Sequence, residues 1–238
     1  MFNSPNLALP FLAAAQAQKH VTVNEALSRL DGLTQITVES SDLNHPPANP
    51  VDGDRYIVGR FPSGAWGGEE ANVAMFLNGA WSFAVPQDGW RAWAKDQNCA
   101  AIFSSGSWRI GLIGGEEHGA ATSVKVDIVD VPLAGGDPVV TSLVIPNRAV
   151  VIGVTARVIT QISGSGLTSW RMGVANSDNR YGSGIGLAKD SSAIGVTGAP
   201  VAYYSDTPVV LTPEGGAFDS GVIRIAAHFF TLSAPDAA

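Results

Sequence analysis

The chain has 238 residues, of which 45% are hydrophobic and 15% charged, enough apolar material for a sizeable core and too much for a disordered protein. It carries 14 basic and 21 acidic residues for a net charge of −7, with no basic run, which excludes phosphate-driven nucleic-acid binding. One cysteine, Cys99, excludes an internal disulfide framework and a cysteine zinc site, and it reads as a small buried hydrophobe. With 27 glycines and 14 prolines the composition suits a turn-rich, mainly β protein, as one large domain or two smaller ones.

The N-terminal stretch shows no signal peptide: no basic flank precedes its apolar residues, and Pro5 and Pro10 interrupt them. No apolar run approaches the ~20 residues of a membrane span, so no membrane insertion is expected. From Gln16 to Asp31 the sequence reads QAQKHVTVNEALSRLD. Thr22 followed by Glu25 fits a capping box, with Asn24 as a second N-cap candidate. Leu27, Leu30 and Leu33 recur at helical spacing with Val23 and Ala26 nearby, while Ser28, Arg29 and Asp31 fall opposite. A short amphipathic helix over 23–33 is predicted, ending near Gly32, either covering its own domain or docking on a partner.

His45-Pro46-Pro47-Ala48-Asn49-Pro50 is a break that disfavours helix. Beyond it, Tyr56 and Val58, then Val73, Met75 and Leu77, then Trp81 and Phe83 alternate as strands do. Asn78-Gly79 is the strongest hairpin signal, and Asn78-Gly79-Ala80-Trp81 is echoed by Ser105-Gly106-Ser107-Trp108, a weak internal repeat of hairpin type. Trp66, Trp81, Trp90, Trp93 and Trp108 lie in this region. They either fill a small core or stack on sugars, and Trp66, Trp90 and Trp93, in or beside glycine-rich turns, are the glycan-stacking candidates.

A polar, glycine-rich stretch over 113–123 reads as a linker. The alternating runs Val150 to Val158, Trp170 to Val174 and Ile223 to Phe229 follow, with further strand material at Val139-Val140, Leu143 to Ile145 and Val209 to Leu211. The fold class is therefore mainly β: a short N-terminal helix, a small Trp-rich β module and a C-terminal antiparallel β-sandwich, jelly-roll-like. The expected organisation is an arm and helix over 1–45, the Trp-rich hairpin module over 46–112, a linker over 113–123 and the sandwich over 124–238.

No catalytic constellation emerges. His20, His45, His118 and His228 have no metal-ligand spacing, and there is no nucleophile elbow, P-loop or dinucleotide fingerprint. Gly182-Ser183-Gly184-Ile185-Gly186 has the wrong spacing for a phosphate loop and reads as a sandwich loop. Asp52-Gly53-Asp54 reads as turn chemistry. Asp127 with Asp130 is a second close acid pair, and Asn176, Asp178 and Asn179 lack the calcium-loop pattern. Neither metal nor cofactor is expected, and an enzyme is disfavoured; a capsule depolymerase built on paired acids is the weakest of the readings kept.

The Gln16–Asp31 segment, Thr34 to Val38, Pro46-Pro47, Gly53-Asp54-Arg55-Tyr56-Ile57-Val58-Gly59, Gly64-Ala65-Trp66, Trp81-Ser82-Phe83, Pro86 and Gly89-Trp90 together resemble an uncharacterised domain family of prophages, tailed phages and gene transfer agents. Pro146-Asn147-Arg148, Thr168-Ser169-Trp170-Arg171, Tyr181-Gly182-Ser183-Gly184 and Arg224-Ile225-Ala226-Ala227-His228 resemble, more weakly, regions attached to that domain. The family is similar to head-spike and fibre proteins of gene transfer agents. The resemblance implies a non-enzymatic virion structural protein, assembled in the host cytoplasm, that decorates a capsid vertex or forms a spike or fibre base. Its partners would be the major capsid protein or another virion protein, further copies of itself as a trimer or pentamer, and host surface polysaccharide. On that reading Gln16, Gln18, Lys19, His20, Asn24 and Leu27 are the particle-anchoring candidates. A carbohydrate-binding receptor module of a tail fibre or baseplate is the alternative.

Overall fold

A computed structural model describes residues 3–12, 19–116, 118–136 and 138–235. The chain divides into two compact units, one running up to Gly119 and the other spanning Ala120–Pro235.

The first unit begins with a loop closed by a bridge between Asn3 and Pro10 and by the Ser4 N–H donating to the Leu9 carbonyl at 2.9 Å. Helix α1 covers Lys19–Leu33, longer at its start than the sequence predicts. Strands β1 (Ile36–Val38), β2 (Arg55–Ile57), β3 (Val73–Leu77) and β4 (Ala80–Ala84) follow, with a 3-10 turn at Gly64–Trp66 before β3. Then come β5 (Arg91–Ala94), β6 (Cys99–Ser104), β7 (Ser107–Ile110) and β8 (Leu112–Gly115). Strands β2-β3-β4 form one antiparallel sheet, and β1-β5-β6-β7 a second, in which β1 pairs with β5 in parallel. Through that pairing the helix-bearing segment and the Trp-rich strands share one unit, although the sequence reading separates them at residue 45.

The echoed turns are equivalent. Asn78-Gly79 has φ of 53° and 78° and Ser105-Gly106 has 52° and 76°, the left-handed pair that a type I′ hairpin requires. An aspartate braces each: Asp52 accepts from the Asn78 N–H at 2.5 Å and Asp88 from the Ser105 N–H at 3.0 Å. Each brace stands beside a glycine whose N–H donates to a phenylalanine carbonyl, Gly53 to Phe76 and Gly89 to Phe103. Each of those phenylalanines meets a tryptophan edge-on, Phe76 with Trp81 at 5.1 Å and Phe103 with Trp108 at 5.5 Å. The unit is thus built on two copies of one braced hairpin.

The second unit is an antiparallel sandwich. Its strands are β9 (Ala121–Pro132), β10 (Val139–Ile145), β11 (Val150–Ser163), β12 (Ser169–Val174), β13 (Ser177–Ile185), β14 (Ser192–Ala202), β15 (Thr207–Glu214) and β16 (Ser220–Ser233). One sheet has the order β10-β15-β12-β13, and the other contains β14-β11-β16-β9. Alternating residues of both sheets, among them Ile145, Val154, Trp170, Met172, Leu211, Ile223 and Phe229, form a single buried core with Phe218 from the β15–β16 connection. The stretch over 113–123, read as a linker, holds most of β8 and the start of β9, where Ala121, Thr122 and Ser123 pair with Ser233, Leu232 and Thr231 of β16. Cys99 is half-buried and free, at the exposed start of β6, where the sequence reading made it a core residue.

Candidate functional site

The helix turns a different face inward from the one predicted. Ser28, Asp31 and Gly32 are buried and Asn24, Leu27 and Leu33 half-buried, whereas Val23, Ala26 and Leu30 face solvent, Leu30 at 55% exposure. The reason is Asp31, which is fully buried and organises the N-terminal loop. Its Oδ1 accepts from the Ser4 hydroxyl at 2.7 Å and the Leu7 N–H at 2.5 Å. Its Oδ2 accepts from the Asn6 N–H at 3.0 Å and the Asn6 side-chain amide at 2.9 Å. Burial opposes the charge, but the hydrogen bonds from Ser4, Leu7 and Asn6 outweigh it and hold the carboxyl below its ordinary range. Arg55, itself buried, donates to the carbonyls of Gly32 and Thr34 at 3.3 and 3.4 Å and closes the helix C-terminus. Burial lowers the Arg55 pKa against the favourable charges of Asp31 and Glu39.

The anchoring candidates are therefore spread over different roles. Gln16 and Gln18 lie outside the described residues. Lys19 opens the helix, and His20 is half-buried with Nδ1 unpartnered. Asn24 grips the backbone of Leu12 from both sides, accepting its N–H at 2.9 Å and donating to its carbonyl at 3.1 Å. Thr22 and Glu25 stand exposed inside the helix, which starts too early for a capping box there.

The glycan candidates part in the same way. Trp66 is fully buried, ringed by Tyr56 at 5.5 Å and Trp81 at 5.1 Å, so it has no face for a sugar. Tyr56, pressed into this cluster, has its hydroxyl pKa pushed up to about 12 by burial and by the neighbouring Asp54. Trp90 packs against the β1/β5 core. Trp93 is exposed on β5, directly opposite Thr37 and Ala100.

What sequence reasoning missed is a polar cleft of 360 Å³ in the first unit, lined by Ser41, Asp42, Arg60, Phe61, Glu70 and Trp108 among others. Phe61 is 86% exposed and holds φ at 55°, and Ala71 across the cleft holds φ at 64°. Neither conformation is comfortable for a side chain. The Phe61 N–H donates to Glu70 at 3.4 Å, and Trp108 fixes the far wall by donating Nε1–H to the Ala71 carbonyl at 2.8 Å. The floor requires glycine at position 59, where a Cβ would lie 2.7 Å from the Asp42 carbonyl oxygen. The sequence signal was a lone aromatic inside Gly59-Arg60-Phe61-Pro62-Ser63-Gly64, a run too rich in turn residues to be a strand.

Asp52, Asp54, Asp130 and Asp178 are occupied elsewhere. Asp54 accepts from the Val51 N–H at 2.8 Å, and Asp52 braces its hairpin. Asp178 meets Arg171 at 2.8 Å, and Asp130 accepts from Nε and Nη2 of Arg224 at 2.6 and 2.7 Å. Glu214 accepts from the Ser169 hydroxyl at 2.6 Å and the Gly184 N–H at 2.9 Å, which hold its carboxyl below the usual range. That one carboxylate ties the 168–171 and 181–184 segments together. Among the described residues no three histidine, cysteine or carboxylate side chains converge as a metal site would require. Nor is any described helix long and apolar enough to cross a membrane.

A family model described as "Protein of unknown function (DUF2793)" matches residues 23–109. The match covers the helix from Val23 and both braced hairpins, and leaves Gln16 to Thr22 and the whole sandwich outside. No curated protein matches the chain. Among solved structures, a chain of the cyanophage Pam1 capsid asymmetric unit is 25% identical, with 50% of this chain and 92% of that chain covered at a TM-score of 0.40. A chain of the acid-stable capsid of Helicobacter pylori bacteriophage KHP30 is 13% identical, covering 47% and 96% at 0.36. A Bacillus endospore appendage protein, from a family of disulfide-linked pili, is 11% identical, covering 50% and 97% at 0.24. At these TM-scores the likenesses carry no functional weight.

Proposed function

We propose that the chain is a non-enzymatic structural protein of a tailed-phage or gene-transfer-agent particle, a vertex decoration, head spike or fibre base. The observation that carries this reading is the ordered resemblance from Gln16 to Trp90, most of which falls inside the matched range 23–109. The protein works as a symmetric homo-oligomer attached to a capsid or other virion protein through its N-terminal segment. The helix supplies the contact with its outward side, Val23, Ala26 and Leu30, since its inward side is spent on the Ser4–Leu9 loop. Asp52, Asp54, Asp130 and Asp178 are tied into turns and ion pairs, which supports a role without catalysis. The test is a tagged copy expressed in a particle-producing host, with immunoblotting of purified particles. Incorporation is expected, and a Val23→Asp/Leu30→Asp variant should lose it while staying folded. A tagged protein found only outside the particles overturns the reading.

The cleft at Phe61 favours a second, compatible role, the binding of saccharide. An exposed aromatic offers a face for a pyranose ring, and Asp42, Arg60 and Glu70 offer acceptors and donors for hydroxyls. Its 360 Å³ sits near the lower end of ligand pockets, which run from about 300 Å³, and so suits one or two sugar units. Titration with capsule fragments, followed by NMR, should shift the Trp108 indole signal in the wild type and not in Phe61→Ala. Absence of any shift at millimolar sugar removes this role and leaves the structural one.

A further inference from the structure

The outward face of the sheet β14-β11-β16-β9 carries a patch that the sandwich itself does not cover. Strand register puts its outward residues in three rows. Val196, Gly153, His228 and Val126 form the first, and Ile194, Thr155, Ala226 and Ile128 the second. Ser192, Arg157, Arg224 and Asp130 form the third. In the first two rows the branched apolar residues Val196, Ile194, Val126 and Ile128 stand on β14 and β9, and Gly153, Thr155 and Ala226 on β11 and β16 between them. Ile194 is 78% exposed, Val196 72%, Ile128 62% and Val126 54%. Between these ridges runs a trough of 420 Å³ whose lining includes Thr155, Ala226 and Arg157.

We propose that this face packs against the same face of a second copy of the chain. The four ridge residues present on the order of 400 Å² of apolar surface, the size of the largest apolar patch on a typical monomer, which is often functional. A stable interface needs about 800 Å² per partner. The half-buried Thr155 and His228 between the ridges, and Ser192, Arg157, Arg224 and Asp130 as a polar rim along one side, supply the remainder. Ridge and trough lie on one face, so the ridge of one copy enters the trough of another and each surface complements itself. Charge permits it. The chain as a whole is at −7, yet the three rows hold Arg157, the bonded pair Arg224 and Asp130, and no free carboxylate. An apolar centre with a near-neutral rim gives a polysaccharide or nucleic acid little to bond. Such a same-face contact closes as a twofold dimer and not as the trimer or pentamer that the resemblance implies; it rests on the homo-oligomer part of the proposed function and is measured on the purified chain, apart from particle association.

Sedimentation velocity at micromolar concentration is expected to show a dimer in the wild type. Ile194→Asp and Ile128→Asp each place a carboxylate in the contact and should weaken association ~100-fold or more, giving monomers with unchanged circular dichroism. Val140→Asp, on the other sheet, is the control and should leave the oligomer intact. A wild-type monomer, or an oligomer that survives both substitutions, overturns the proposal. Should an aspartate variant misfold, Val196→Cys in a Cys99→Ser background gives an independent measurement. A thiol cross-linker is expected to yield covalent dimers, and their absence is equally decisive against the contact.

Discussion

Asp31→Asn separates a carboxylate from its shape. Both oxygens of Asp31 accept two donors each, from Ser4, Leu7 and Asn6. An asparagine keeps one acceptor oxygen and turns an amide nitrogen toward the other two donors. Hydrogen bonds to a charged acceptor contribute about 1.5–3 kcal/mol each, so losing two costs the loop about 3 kcal/mol at the low end. That is a ~100-fold increase in the fraction of molecules with residues 4–9 undocked. Amide hydrogen exchange at Ser4, Asn6 and Leu9 reads this directly, and the rates should rise accordingly while β3 and β6 stay protected. The pH dependence has a definite sign. The docked-state pKa lies below the undocked value of 3.8, so the loop's stabilisation is whole above pH 3.8. It is lost as pH falls through the lower docked value, and Asp31→Asn abolishes that acid step. Exchange at these amides unchanged within threefold would refute the argument that Asp31 holds the loop.

Trp66→Ala should cost about 3–5 kcal/mol in a denaturant melt, and Trp93→Ala less than about 1, because Trp66 is fully enclosed and Trp93 is not. Leu30→Asp should change stability by no more than about 0.5 kcal/mol, whereas Ser28→Leu, forced into a packed face, should cost about 1–3 kcal/mol in the same assay. Gly195→Ala sets a Cβ 2.0 Å from the Tyr181 carbonyl oxygen, and a loss of about 3 kcal/mol in thermal unfolding is expected.

Strand positions were legible where one face is buried and the other wet. The runs from Val150 and Ile223 reappear as β11 and β16, paired in register from Val154↔Ala227 to Val158↔Ile223. The Asn78-Gly79 and Ser105-Gly106 hairpins were legible because a left-handed turn pair restricts residue choice. The helix face was not. Periodicity assumes that the inward side is the apolar one, and here a buried carboxylate satisfied by the Ser4–Leu9 loop reverses the rule. The cleft at Phe61 was hidden for another reason: Asp42, Arg60 and Glu70 are brought together by long-range backbone pairing, the Gly59 N–H to Leu43 and the Ala71 N–H to Val58.

The reversal of the helix bears on why this segment has the residues it does. A carboxylate in a protein interior is costly unless all its lone pairs are used, and a hydrophobe of similar size would stabilise the helix more. What the carboxylate provides instead is direction. Its four hydrogen bonds admit one arrangement of residues 4–7, and the Asn24 grip on Leu12 fixes where the loop leaves the helix. A loop held by Leu or Val side chains could slide along the helix; one held by paired donors cannot. With polar bonding fixing the inward side, the apolar residues of the same helix are free to face out. Val23, Ala26 and Leu30 are then not a defect of a surface helix but the part of it that its own domain does not need.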